Sequence, residues 1–366
     1  MPKMFLMRWV VMIGGCVSLC ALPAAGHAEE AKSGPKAIYQ QALVAEHVED
    51  YHRALELLRE AAKQNYAPAE SDIGWIYEGG LGIPNDHAEA LKWYHRAADH
   101  GYAQAQTNLG WFYQTGLGVD KDYGEALKWY RKAADQGDKT GYKRLAAMYE
   151  EGLGTDRDAK QALTYYLKAA EKGDVAAQCQ AGTIYMKGVA GEPDYAEAMV
   201  WYVRAANQNS VCAQNQLGWM YLNGLGTPKN LEAAMTYYSV AAAKQDKNAE
   251  YQLGWIYEHT ATPNYVLAMN WYQRAAQQGE AKAQNNIGFL YEKGLGVQQD
   301  YAEAAKWYGA STRLGYPRAY FHLGVLYADG RGVDQDEDKA RTLIEAAAKT
   351  GDAEAQAWLD AENSGR

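Results

Sequence analysis

Cysteine is nearly absent, with four in 366 residues. That excludes a scaffold held together by dense disulfides. Proline is sparse too, at nine, so neither a collagen-like nor a proline-rich chain is in question. Phenylalanine occurs only four times, and the aromatic content is carried by 29 tyrosines and 11 tryptophans. Positive charge is also short: 36 lysines and arginines face 45 acidic residues, a net charge of −9. Nucleic-acid binding needs a basic surface to neutralise phosphates, so the balance speaks against such a partner. No apolar run after residue 28 approaches the roughly 20 residues a membrane span requires. The chemistry-bearing motifs are missing as well. There is no His-Glu-x-x-His, no Gly-x-x-x-x-Gly-Lys loop and no Gly-x-Ser-x-Gly elbow. Carboxylates are plentiful without a singled-out pair, so no catalytic, metal-binding or cofactor-binding residue is assigned. His95 and Asp99, four apart on one helix, read as a surface hydrogen bond rather than half a metal site.

The first segment reads as an address. Met1 to Ala28 carries Lys3 and Arg8 and no acid, then an apolar run from Trp9 to Pro23. Gly26 and Ala28 stand at the small-residue places of a cleavage site. This is the pattern of a secretory signal peptide over 1–28, cut after Ala28. An uncleaved anchor is the alternative, but about 15 apolar residues fall short of a span. Cleavage would leave Cys179 and Cys212 as the remaining cysteines, in a periplasmic or secreted setting where disulfides persist.

What fills the rest of the chain is one repeat. A tyrosine recurs as Tyr77, Tyr113, Tyr149, Tyr185, Tyr221, Tyr257, Tyr291 and Tyr327, in steps of 36 save one of 34. Taking Ala103 as position 1 of a unit, position 8 is glycine in every unit but one, where Ala146 stands. A Gly-x-Gly loop follows, as at Gly116 and Gly118. Position 24 is always alanine, and positions 27 and 28 are a Trp-Tyr or Tyr-Tyr pair in seven units. Positions 3, 7, 8 and 11 step at helical spacing and predict the buried stripe of a first helix, A; positions 24, 27, 28, 31 and 32 predict that of a second, B. The position-8 glycine predicts a close approach of the two helices. Glu125 with Lys128 and Glu303 with Lys306 read as solvated pairs on the outer face. A single hairpin cannot bury its own apolar face, whereas stacked neighbours can, so a regular period of this length predicts a solenoid. Eight full units span 67–352. Residues 29–36 read as a linker, 37–66 as a divergent capping hairpin, and 353–366 as a capping helix and tail.

The segment Ala103 to Gly137, with Leu109-Gly110, Tyr113, Gly116, Gly118 and then Ala126, Trp129-Tyr130 and Ala133-Ala134, resembles the Sel1-like repeat, a relative of the tetratricopeptide repeat. The resemblance implies an all-α, right-handed superhelix of helix pairs acting as a scaffold or adaptor. It implies a protein or peptide partner, without naming it, held in a concave groove. A secreted or surface-exposed host-contact factor is the alternative; an envelope hydrolase or β-lactam-binding enzyme is the third reading. Cysteine-rich relatives of the last kind carry a cysteine pair in nearly every repeat, and this chain departs from that pattern. In a tetratricopeptide-like stack, position 9 points into the groove, which would place Trp75, Trp111, Trp219, Trp255 and Phe289 there as an aromatic ladder. Glu78, Glu150, Glu258 and Glu292, at position 12, are expected one turn along the same face, giving an aromatic, acidic groove for a peptide with apolar and basic residues. The competing reading is that the rings only pack between adjacent A helices. Cys179 and Cys212, at positions 5 and 2 of successive units, are expected to face each other across one seam. They would bond if their Cα atoms come within about 7 Å.

Overall fold

The computed structural model describes residues 34–364, so the segment read as a signal peptide lies outside the described residues. Nineteen α-helices follow one another, with no strand among the described residues. They are α1 (Pro35–His47), α2 (Tyr51–Ala62), α3 (Ala67–Gly79), α4 (His87–Asp99), α5 (Ala103–Thr115), α6 (Tyr123–Asp135), α7 (Lys139–Glu151), α8 (Ala159–Glu171), α9 (Val175–Lys187), α10 (Tyr195–Ala206), α11 (Val211–Asn223), α12 (Leu231–Ala242), α13 (Lys247–His259), α14 (Tyr265–Gln277), α15 (Ala281–Lys293), α16 (Tyr301–Arg313), α17 (Pro317–Asp329), α18 (Glu337–Lys349) and α19 (Ala353–Ser364). Odd-numbered helices up to α17 are A helices, and each pairs with the B helix after it. The first helix begins at Pro35, inside the span read as linker. Proline suits the first helical turn, where its missing N–H costs nothing, and Gly34 precedes it.

Local sequence sets the boundaries. Each B helix from α4 to α18 opens on an aspartate or asparagine whose side chain accepts a backbone N–H of the first turn, as Asp122 does from Glu125 at 3.0 Å. Most A helices from α3 onward close on a left-handed glycine. Gly116 has φ of 79° and donates its N–H to the carbonyl of Phe112 at 2.8 Å. The second loop glycine has a different task. A Cβ on Gly118 would stand 2.7 Å from the His87 carbonyl group, so the loop rides against the start of the preceding B helix. The exception is α13, whose unit is two residues short: Thr260 follows it in an extended conformation.

Inside six of the hairpins, the position-28 tyrosine lies against the position-8 glycine; Gly324 meets Ile344 instead, and the 139–174 unit has Ala146 there. A Cβ on Gly110 would be 2.5 Å from the Tyr130 ring, and on Gly218 2.8 Å from Tyr238. These tyrosines are among the largest fully buried side chains: Tyr94, Tyr130, Tyr202, Tyr238, Tyr272 and Tyr308. The A-helix stripe differs in one respect from its sequence reading. Ile76, Phe112, Met148, Ile184, Met220, Ile256, Leu290 and Leu326, at position 10, are buried, while the position-11 tyrosines are half-buried. Position 10 lies three residues after position 7, in the middle of the core arc. Position 11 lies at its edge, where Tyr77 borders two successive clusters and Tyr149 stacks on Tyr165 at 5.8 Å.

Candidate functional site

Successive A helices are joined by a recurring latch. The position-5 side chain reaches the acidic N-cap of the next A helix: Thr107 donates to Asp138 at 2.9 Å, Lys143 to Asp174 at 2.8 Å, and Asn215 to Asp246 at 2.9 Å. At the seam between α9 and α11 the N-cap is Ser210, which caps only its own helix through Ala213. There the latch is covalent. Cys179 and Cys212 form a disulfide with Cα atoms 6.5 Å apart, within the range such a bond allows. Cys179 is buried and Cys212 exposed.

The latches join α5, α7, α9, α11 and α13 in turn, and constrain the face each of these helices leaves open. At 100° per residue, positions 2, 6, 9 and 13 share one side, roughly a quarter turn round the helix from the buried 3, 7 and 10. The aromatic row sits there but is not uniform. Trp75 and Trp219 are 38% and 39% exposed. Trp111 is half-buried, packs on the core cluster beneath it and lies 4.5 Å under the Arg144 guanidinium of the next A helix. Trp255 stacks on His259 at 4.3 Å, and Phe289 lies 6.5 Å from His322. The ladder is therefore split: Trp219 and Trp75 are the more open rings, although Trp75 meets Tyr51 edge-on at 6.4 Å, and the other three also serve as packing.

The acidic residues are placed differently from the expectation. Position 12 falls four residues after the packing glycine, so its side chain runs along the tyrosine ring rather than into the open face. Tyr94 donates to Glu78 at 2.6 Å, Tyr166 to Glu150 at 2.7 Å, Tyr272 to Glu258 at 2.5 Å and Tyr308 to Glu292 at 2.8 Å. In the 103–138 unit, Gln114 accepts from Tyr130 at 2.7 Å. These carboxylates answer a buried hydroxyl before they answer any ligand. Burial pushes the hydroxyls of Tyr130, Tyr166, Tyr272 and Tyr308 up, and that of Tyr202 to about 12, so they remain protonated donors at neutral pH. Burial opposes ionisation of Glu292, yet the Lys293 and Tyr308 hydrogen bonds, with the charges of Lys293 and His322, outweigh it and hold the carboxyl below its ordinary range. The signal in the sequence was the coincidence of a position-12 acceptor with a tyrosine sixteen residues on, or fourteen in the short unit.

Buried acids at position 4 escaped the sequence reading. Glu70 is fully buried and pairs with Arg96 and His100, each at 2.7 Å; Glu250 pairs with Arg274 at 2.7 Å. At the same position, Gln106, Gln178 and Gln284 donate instead to an alanine carbonyl of the preceding B helix. A carboxylate cannot donate, so Arg96 and Arg274 supply the missing donor to Ala62 and Ala242. His95 does not bond Asp99. It meets the Tyr113 hydroxyl at 3.2 Å, edge-on to Trp129, and burial lowers its pKa. No group of three metal-ligating side chains occurs among the described residues, nor any helix long and apolar enough to cross a membrane.

Hairpins of this design, repeated at 36 residues and stacked through A-helix latches, define an all-α repeat protein. The Sel1 repeat family model matches residues 45–66, 67–102, 103–138, 141–174, 175–210, 213–246, 247–280, 281–316 and 317–352. The chain belongs to the Sel1 repeat family. Among solved structures it is similar to a protective antigen present in uropathogenic Escherichia coli strains, described as displaying an SLR fold. Identity there is 32%, covering 90% of this chain and 80% of that one, with a TM-score of 0.73. It is also similar to a Sel1 repeat protein from Oxalobacter formigenes, at 29% identity over 93% of this chain and 98% of that one, with a TM-score of 0.69. No curated protein sequence matches the chain.

Proposed function

We propose that the protein is an exported adaptor that holds a protein or peptide partner in the groove formed by its A helices. Sel1 repeat proteins generally mediate protein–protein interaction and are generally non-catalytic, and in this reading the chain acts by binding alone. The observation that carries the reading is the open A-helix face, where Trp75 and Trp219 stay more than a third exposed. Large aromatics in such a place give contact area at low entropic cost and recur as interface hot spots. Export draws support from two directions: the signal-like pattern of residues 1–28 and the Cys179–Cys212 disulfide, a bond that persists in oxidising compartments.

A photo-reactive amino acid placed at Trp219, in cells expressing the chain, tests the groove. Adducts are expected from position 219 and not from Val240, an exposed apolar residue on a B helix. Equal labelling from both positions refutes the groove. Periplasmic extraction tests the compartment, and retention in the cytoplasm refutes export. A second reading, a surface-exposed host-contact factor, is favoured by the similarity to the protective antigen. Protease treatment of intact cells separates the two, since only a surface protein is cut.

A further inference from the structure

The tyrosine bonds draw the acidic groups away from the open face, and what remains in its centre carries little charge. On α9, α11 and α13 the twelve residues at positions 2, 6, 9 and 13 include one formal charge, Lys187, in a chain that is 22% charged. Position 6 holds a carboxamide in all three: Gln180, Gln216 and Gln252. Gln180 is exposed and the other two are half-buried. The position-6 residues of the flanking units are engaged, for Arg144 covers Trp111 and Asn286 donates to the Tyr272 hydroxyl at 2.9 Å. The three glutamines make no such contact among the described residues. Each offers one acceptor and two donors, the set that matches a peptide unit and no single charge.

Building on the groove reading above, we propose that Gln180, Gln216 and Gln252 form a ladder that grips the main chain of an extended, low-charge polypeptide wound at three residues per turn. The spacing selects that conformation. Packed helices lie about 8–10 Å apart. A polyproline-II chain rises about 3.1 Å per residue and completes a turn in about 9.3 Å, so it shows the same side to each successive A helix. A β-strand repeats every two residues, in about 6.6–6.8 Å, and drifts out of step at once. A polyproline-II chain also has no internal hydrogen bonds, leaving its amides free for the carboxamides. Trp219 and Trp255, one helical turn along from Gln216 and Gln252, offer apolar faces to the side chains between grips.

The test uses the purified, oxidised chain and a displayed library of random 12-residue peptides. Enriched sequences are synthesised with a fluorophore and with one backbone amide at a time N-methylated. The expected peptides are low in charge. N-methylation should weaken binding about three- to tenfold, the worth of one hydrogen bond, at every third residue. The triple variant Gln180→Leu, Gln216→Leu, Gln252→Leu should weaken binding at least about tenfold and erase that period, with an unchanged melting curve. Lysine- or arginine-rich peptides indifferent to N-methylation overturn the ladder. So does binding that is lost in Trp219→Ala but kept in the triple variant, an outcome that leaves the groove reading standing. No enrichment, or binding indifferent to both sets of substitutions, overturns the groove reading as well. The N-methyl period is read on the unaltered protein, so it decides the matter even should the triple variant misfold.

Discussion

Gly110→Ala puts the packing rule of the hairpin to a numerical test. The new Cβ would lie 2.5 Å from two Tyr130 ring carbons and 3.0 Å from a third, where comfortable contact is about 3.5–4.0 Å. The ring has nowhere to go: it is fully buried, flanked by Ala126 and Ala133, and its hydroxyl is held by Gln114 at 2.7 Å. Overpacking of this kind costs about 1–3 kcal/mol. Replacing a mid-helix glycine with alanine returns about 1 kcal/mol of helix propensity. The net expectation is a loss of up to about 2 kcal/mol, and several for Gly110→Leu. The molecule contains its own control. The 139–174 unit has Ala146 at position 8 and, in return, Gly141 at position 3, where every other unit has alanine. A Cβ on Gly141 would stand 2.9 Å from Ala133, so the glycine has moved to the opposite side of the helix. Ala105→Gly combined with Gly110→Ala copies that exchange and should lie closer to the parent than Gly110→Ala alone. Urea unfolding by circular dichroism measures the midpoints. Hydrogen exchange of the α5 and α6 amides localises the change, which matters because long repeat arrays need not unfold as one unit. A Gly110→Ala protein more stable than the parent by about 1 kcal/mol would refute the close-approach argument.

Breaking the Cys179–Cys212 bond by Cys→Ser substitution at both sites should cost roughly 3–4 kcal/mol on the loop-entropy estimate for its sequence separation of 33, with faster exchange confined to α9–α12; uniform exchange along the chain would contradict the latch. Glu292→Gln should be destabilising at neutral pH. The Glu292 pKa is depressed in the fold, so its contribution is complete above the ordinary carboxylate range and fades as pH falls through the lowered value; a stability gap to the parent that persists into strong acid would refute the assignment. Burial lowers the His322 pKa, and the unfolded chain therefore binds its proton first as pH falls below about 6.5. His322→Gln should flatten the stability loss below that pH, read from urea midpoints across the range. Trp219→Ala should leave the melting temperature nearly unchanged, whereas Trp111→Ala, which removes a ring packed on the core, should cost on the order of 1–2 kcal/mol.

Periodicity was legible without coordinates because every unit solves the same packing problem. Gly74 through Gly324, the position-24 alanines and the Trp-Tyr pairs recur in phase, so the helix pairs and the loops between them could be read from spacing. The short 247–280 unit was visible as lost glycines and appears as the one A helix from α3 onward without a glycine cap. What spacing left undecided was rotation. Two positions three apart, such as 9 and 12, differ by about 60° around a helix, enough to separate an open face from a hairpin interior. Only the packed neighbour fixes which is which: the hydroxyls of the position-28 tyrosines draw Glu78, Glu150, Glu258 and Glu292 inward, and the seam latches turn Gln180, Gln216 and Gln252 outward. The disulfide belongs to the same class of decision. Its two cysteines are 33 residues apart in sequence, and only the stacking of α9 on α11 brings their Cα atoms to 6.5 Å. The sequence determined the repeat, since local helix periodicity and burial recur within each 36 residues; the tertiary structure decided which side chains share the open face, since that face is made by residues from different repeats whose directions are set by contacts that no single repeat contains.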